Sequence, residues 1–383
     1  MQIATFVFYL VVLISVVFSY RRKWKNYNWY AITIITLVLG LRGCGIDTRG
    51  YIETFRFYLS INAGLFNPAY YDPDFNILFE NDLHVEWFYL VLIKIIKLFS
   101  TSSVWYFLIL DFMSTVALDR FIRRFSLKEK EWILYFFFTG LFFVNMFNLM
   151  RQCLSFLIFL NLLDFIERKK LIHYIVGVLI LYVFFHKSAI MLIPFYFVVD
   201  KNFLKSNYLQ GCIYFVVVAF SVIFIEQLKI IMDMLYFHIG GTDVIKVDYL
   251  SSETQVIDMK VSYLTIFFYS TVMIYMILHS SYFKTAYGTL GVIMYNFTYL
   301  GMLLVNVAYN RGVERINIYF ISFSFLVLGL MIYQSLFGYF KRKKEMQIYT
   351  YGIILLYIAW FANAVFQGAA GCAPYKFNSE LFQ

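Results

Sequence analysis

Apolar residues run through long unbroken stretches of the chain, and polar residues gather in short segments between them. The stretches cover 3–18, 29–41, 87–99, 104–118, 132–147, 152–165, 172–185, 188–199, 211–231, 261–278, 290–307, 316–333 and 348–366. They are continuous rather than alternating, so they read as helices and not as half-buried strands. Several are shorter than the roughly 20 residues of a straight crossing, so they are tilted, extended by flanking aromatics, or re-entrant. The pattern predicts an all-α, polytopic integral membrane protein with about 11 to 13 hydrophobic helices. A single membrane domain over 1–383 is expected, since no soluble domain, linker, low-complexity segment or internal repeat is visible. The first run lacks a basic leader and a small-residue cleavage site, so it reads as a retained span.

Composition sharpens this picture. Of 383 residues, 62% are hydrophobic, 22% are aromatic and only 14% are charged. A soluble domain carries about 25% charge, and one of this size has no way to hide so much apolar surface. The net charge of +9 does not call for nucleic acid, because short basic clusters between spans explain much of it. Cys44, Cys153, Cys212 and Cys372 form no CxxC and no metal-type spacing. A bridge between Cys44 and Cys372 is conceivable on the topology that follows.

The basic clusters at 21–25, 120–130, 168–170, 200–205 and 341–344 are assigned to the cytoplasm. From Trp132 onward the alternation then holds. The ends near Arg151, His186 and 309–315, and the loop 232–260, fall outside. One interval does not close. Asp47 outside and Arg120 inside require an odd number of crossings, yet two apolar runs lie between them. Either one run is re-entrant, or part of 51–71 dips into the membrane. The segment 43–86 is a long extracytoplasmic loop, and its aromatics predict amphipathic helices on the membrane surface.

Five separated segments send cations or titratable groups to the outer side. They hold Arg42, Asp47 and Arg49; Glu86; Arg151 and Gln152; His186, Lys187 and Ser188; and Arg311, Glu314 and Arg315. Charge at membrane depth is costly and marks sites and pathways. Arginine presents a planar fork matched to phosphate oxygens, so the set suggests a diphosphate held near the headgroups. Arg311 and Arg315 are four apart and share a helix face. Blander roles stand beside this one: an arginine at a span's end anchors headgroups, His186 caps a turn, and Asp47 pairs with Arg42 or Arg49. Asp72-Pro73-Asp74 is a weak DxD pattern, and no metal site is assigned. No P-loop or HExxH is present, and no cofactor is expected.

With these residues in hand, the chain resembles the EpsG family of Wzy-like polysaccharide polymerases. The pieces are Gly45-Ile46-Asp47 with Tyr51 and Phe55, then Glu86, then Arg151-Gln152 opening a span. His186-Lys187-Ser188-Ala189 running into Pro194 follows, and last Glu314-Arg315 before Tyr319-Phe320. The resemblance covers roughly residues 30 to 330. Thr48 stands where the family often has an aromatic, and Trp87 where it commonly has proline. The resemblance implies a GT-C-like membrane glycosyltransferase in the bacterial cytoplasmic membrane, with its site on the outer side. A growing glycan on polyprenyl diphosphate would pass to a hydroxyl of the next polyprenyl-diphosphate-linked repeat unit, making exopolysaccharide, capsule or O-antigen. Donor and acceptor would both be lipid-linked oligosaccharides, with a flippase and a chain-length regulator as candidate partners.

The expected roles are Asp47 as general base with His186 second, and Glu86 orienting a sugar or an arginine. Arg151, Arg311 and Arg315 would hold the diphosphate with Arg42 or Arg49 assisting, and Tyr51, Gln152 and Ser188 would line the substrate. Competing readings are a single-unit lipid-linked glycosyltransferase or ligase, a lipid-linked oligosaccharide flippase, and a membrane O-acyltransferase.

Overall fold

In the computed structural model of the chain, the described residues are 2–21, 27–57, 86–127, 130–202, 205–223, 263–305, 311–338 and 344–382. Asp72 and Asp74, and the loop 232–260, lie outside them. Among the described residues there is no strand; one isolated antiparallel bridge joins Arg42 and Phe377. The all-α, polytopic membrane architecture expected from the apolar runs is what the chain adopts. Among the described residues, four helical segments are long and apolar enough to cross a bilayer: Gln2–Tyr20, Ile266–Leu304, Ile316–Phe337 and Lys344–Phe366.

The chain divides into two compact units, one of residues 1–193 and 361–383, the other of 194–360. In the first unit the helices are α1 (Gln2–Arg21), α2 (Tyr27–Gly40), α3 (Thr48–Phe57), α4 (Trp87–Lys97), α5 (Val104–Ile122), α6 (Trp132–Leu141), α7 (Phe143–Met146), α8 (Met150–Glu167) and α9 (Leu171–Ile180). The α9 helix loosens into a π-turn over Leu181–Phe185, closed by the His186 N–H donating to the Leu181 carbonyl at 2.8 Å. The chain then tightens into a 3₁₀ segment, Lys187–Phe197, that contains Pro194. Such local rewinding is frequent at functional sites.

Amphipathic α3 follows from its sequence. Tyr51, Ile52 and Phe55 point inward while Arg49 and Arg56 stay exposed. The inward face joins Tyr89, Ile93 and Ile96 of α4, Tyr106, Phe107 and Leu110 of α5, and Met150 and Leu154 of α8 in one core.

The apolar run 87–99 forms the short helix α4. Its 11 residues rise only about 16 Å, half the hydrocarbon thickness. Its first end meets Arg151, through Glu86, and its last end meets Arg56, through Lys97. The carboxylates of α5 are paired: Asp111 with Arg42 in the core, and Asp119 with the half-exposed Arg123 and the Tyr135 hydroxyl.

The second unit holds α10 (Asn207–Ile223), α11 (Tyr263–Leu304), α12 (Arg311–Ile321), α13 (Phe323–Phe337) and most of α14 (Lys344–Phe366). The 42 residues of α11 leave helical geometry at Gly288 (φ 56°, ψ −139°), which separates the runs 261–278 and 290–307. Hydroxyls bind its helices together. The Tyr275 hydroxyl lies 3.1 Å from both Ser335 Oγ and Thr350 Oγ1, and Phe268 stacks on Trp360 at 4.7 Å.

Candidate active site

The cluster of interest in the first unit is built around the start of α8. The chain turns there through Asn145–Leu149, and Arg151 and Gln152 occupy the first helical turn. A cation on the first turn opposes the helix dipole, whose positive end favours anions. It therefore needs compensation, and Glu86 supplies it with Oε2 at 2.5 Å from Arg151 Nη1. Two aromatic faces complete the housing. The guanidinium carbon lies 5.8 Å from the Tyr51 ring centroid and 5.7 Å from that of Tyr89, within cation–π range. The Tyr89 hydroxyl donates to the Arg151 carbonyl at 3.2 Å. Arg151 keeps 24% of its side chain exposed against 6% for Glu86, so the arginine is the member of the pair a ligand can reach.

Asp47 approaches the same turn because of Gly45. That glycine has φ +120°, and a Cβ on it would lie 2.3 Å from the Phe147 carbonyl oxygen. Only glycine allows this approach. Beyond it the Thr48 hydroxyl donates to the Cys44 carbonyl at 2.7 Å, and α3 begins. Asp47 then sits over Asn148. With the Asn148 amide nitrogen turned towards it, that nitrogen is 3.0 Å from each carboxylate oxygen. The reverse orientation would set acceptor against acceptor, so hydrogen bonding selects this one. Thr48, in place of an aromatic, is buried under the turn and fits there because its hydroxyl is locally satisfied.

The second group is a directed chain of hydrogen bonds. The Ser188 backbone N–H donates to His186 Nδ1 at 3.2 Å, and Ser188 Oγ lies 2.6 Å from the same nitrogen. A backbone N–H can only donate, so Nδ1 is an acceptor and the neutral ring carries its proton on Nε2. The Ser188 hydroxyl therefore also donates to Nδ1, and its oxygen accepts from Gln152 Nε2 at 3.4 Å. Gln152 follows Arg151 on α8, which joins the two groups.

A family model described as the EpsG family matches residues 25–377, nearly the whole chain. The chain belongs to the EpsG family. Neither a curated protein nor a solved structure matches it. Four of the motif pieces of this EpsG chain, at Asp47 with Tyr51, Glu86, Arg151-Gln152 and His186–Ser188, are thus gathered in one unit. The fifth lies in the other unit, where Arg311 and Arg315 stand on the first turns of α12.

Two expectations need correcting. Arg42 is not available to a substrate. It is fully buried, with Nη1 donating to Asp111 Oδ2 at 2.5 Å and to the Leu39 carbonyl, and Nη2 donating to the Met146 carbonyl at 3.2 Å. The Phe107 and Phe147 rings cover it. Arg49 has 90% of its side chain exposed and pairs with Glu53 four residues on, so neither arginine is Asp47's partner. Sequence reasoning missed Asn148, Tyr89 and Asp111. A lone carboxylate inside the apolar run 104–118 was the signal for Asp111. Nothing in the sequence pattern marks Tyr89.

Proposed function

We propose that this EpsG-family protein is a Wzy-like polysaccharide polymerase that joins lipid-linked oligosaccharide repeat units, with the cluster at the start of α8 as its reaction centre. Family membership supports the polymerase reading. The observation that carries the site is the Glu86–Arg151 pair beside Asp47, a reachable cation and a held carboxylate on adjoining turns. In this reading an acceptor sugar hydroxyl gives its proton to Asp47 as its oxygen attacks the anomeric carbon of the donor glycan. The bond from that carbon to the diphosphate breaks, and polyprenyl diphosphate leaves. Arg151 and the N–H groups at the head of α8 stabilise the charge that gathers on the leaving oxygen. Glu86 keeps the guanidinium aimed, and Tyr51 and Tyr89 hold its plane. His186, with its proton on Nε2, serves as a donor to the diphosphate or a sugar, steadied by Ser188 and Gln152. From the sequence pattern, Arg311 and Arg315 of the second unit are further candidates for holding a lipid diphosphate. The activated bond is in the substrate, so no nucleotide is consumed. The site faces the outer side of the bacterial cytoplasmic membrane, as the basic clusters indicate.

The test is purified protein in lipid with a polyprenyl-diphosphate-linked repeat unit and no nucleotide, its products separated on a gel. A ladder from the wild type that vanishes with Asp47→Asn is expected. A single added unit would reduce the protein to a one-step transferase. Unchanged substrate with well-folded protein would refute glycosyl transfer.

A further inference from the structure

After α14 the chain does not trail away. Residues 368–382 form a strap across the first unit. The Gly43 N–H donates to the Lys376 carbonyl at 2.7 Å, and the Asn378 N–H to the Leu41 carbonyl at 2.9 Å, giving the bridge between Arg42 and Phe377. Gly371, at φ +69°, lies so close to the loop that a Cβ would be 2.8 Å from the Ile46 nitrogen. The Tyr375 hydroxyl donates to the Val38 carbonyl, and the Tyr9 hydroxyl to the Cys372 carbonyl. The strap therefore touches the chain before Asp47, at Leu41 and Gly43, and immediately beside it, at Ile46.

Glu380 fastens the far side. One carboxylate oxygen accepts from Arg56 Nε at 3.0 Å and Nη2 at 2.8 Å, near the end of α3. The other accepts from the Ser103 N–H at 2.5 Å and its hydroxyl at 2.6 Å, at the start of α5. A carboxylate at a helix N-terminus satisfies an orphan N–H and suits the dipole. Burial alone would raise its pKa, but the Ser103 and Arg56 hydrogen bonds bring it below the ordinary carboxylate value. Glu380 is therefore ionised at neutral pH and joins two elements that carry no motif in common.

We propose that the strap is a positioning element of the reaction centre. Through Glu380 and the pairing at Leu41 and Gly43, it fixes the turn that sets Asp47 against Asn148. The proposal rests on the reading of Asp47 as the proton acceptor. Beside the loop's own anchors at Arg42 and Thr48, its flanks are braced by the pairing of Leu41 and Gly43 with the strap and by the Glu380 bonds to α3 and α5. Glu380 is a positioning residue and touches no substrate.

The test uses the full chain in lipid nanodiscs, as wild type, Glu380→Ala and Glu380→Gln. Hydrogen exchange of a peptide over 41–51 is followed, with a peptide of α13 as the folding control. Losing charge-assisted hydrogen bonds should speed exchange over 41–51 about ten- to hundredfold in Glu380→Ala. Glu380→Gln keeps an acceptor for Ser103 and should fall between; it also decides the matter if the alanine variant does not fold. Unchanged exchange over 41–51 would overturn the proposal. Turnover of the polyprenyl-diphosphate-linked repeat unit is then compared. A fall in kcat with KM held supports positioning, whereas fast exchange with wild-type kcat would leave the strap merely structural and overturn the proposal. A wild type that makes no product would instead defeat the polymerase reading, and the exchange result would still decide whether the strap holds the loop.

Discussion

Neutralising Glu86 separates the two roles open to Arg151, a structural ion-pair partner or a cation held for a ligand. In Glu86→Gln the amide keeps the shape of the carboxylate but leaves the guanidinium without its counter-charge, 2.5 Å away in the native pair. Removing one partner of a fully buried pair costs about 3–5 kcal/mol. Arg151 is 24% exposed, and water reaches it, so about 2 kcal/mol is expected here. The Tyr51 and Tyr89 faces remain in place and keep the loss from being larger. The same change has the opposite effect on an anion. A diphosphate no longer competes with Glu86, and recovering about 2 kcal/mol on binding corresponds to roughly 30-fold tighter affinity. The assay is the melting temperature in detergent, titrated with a short-chain prenyl diphosphate. Glu86→Gln should melt lower without ligand and regain most of the difference at saturation. Its turnover should fall because the leaving lipid diphosphate is released too slowly. A lower melting point with wild-type ligand affinity would refute the diphosphate role of Arg151 and leave the pair as packing.

Two further changes probe the frame around the site. Gly45→Ala puts a methyl 2.3 Å from the Phe147 carbonyl at φ +120°, with no rotamer to relieve it; a loss of about 2–4 kcal/mol and of polymer is expected, and a normal melting point with a full ladder would contradict the close approach. Asp111→Asn strands Arg42 in the core and should cost about 3–5 kcal/mol by denaturation in micelles, while Arg42→Met with Asp111→Leu should recover most of it. If the apolar pair restores folding but not polymer, Arg42 has a role beyond packing and its removal from the substrate set is wrong.

What the sequence disclosed depended on how far apart the partners lie. The all-α membrane class is legible because it rests on unbroken apolar runs, a local property. Gly45 and Asp47 are legible for the same reason, since the turn and the carboxylate are two residues apart. Arg42 misleads. It stands five residues before Asp47 and resembles its companion, yet its counterion is Asp111 on another helix. Short apolar runs say little of their surroundings: within 87–99 lies an 11-residue helix, and its packing against α3, α5 and α8 is not written in its composition. The strap has no periodicity and no motif at all. Its contacts join Gly43 to Lys376 and Ser103 to Glu380, pairings across most of the chain that no pattern of spacing could reveal.

The hydrogen-bond directions also bear on which group takes the acceptor's proton. His186 is the obvious base by residue type, since imidazole is the common general base of enzymes. Its Nδ1, however, accepts from the Ser188 N–H, a donor that cannot reverse. For the neutral ring to act as a base at Nε2 it would have to shift its proton to Nδ1, breaking that bond and the one from the Ser188 hydroxyl. A neutral His186 is thus arranged to donate from Nε2. Asp47 is a carboxylate, which when ionised only accepts, and the Asn148 amide nitrogen lies 3.0 Å from each of its oxygens and aims it. The arrangement supports a division in which the carboxylate removes the proton and the imidazole steadies the departing oxygen or a sugar. The Gln152–Ser188 chain of hydrogen bonds fixes the tautomer that such a donor needs.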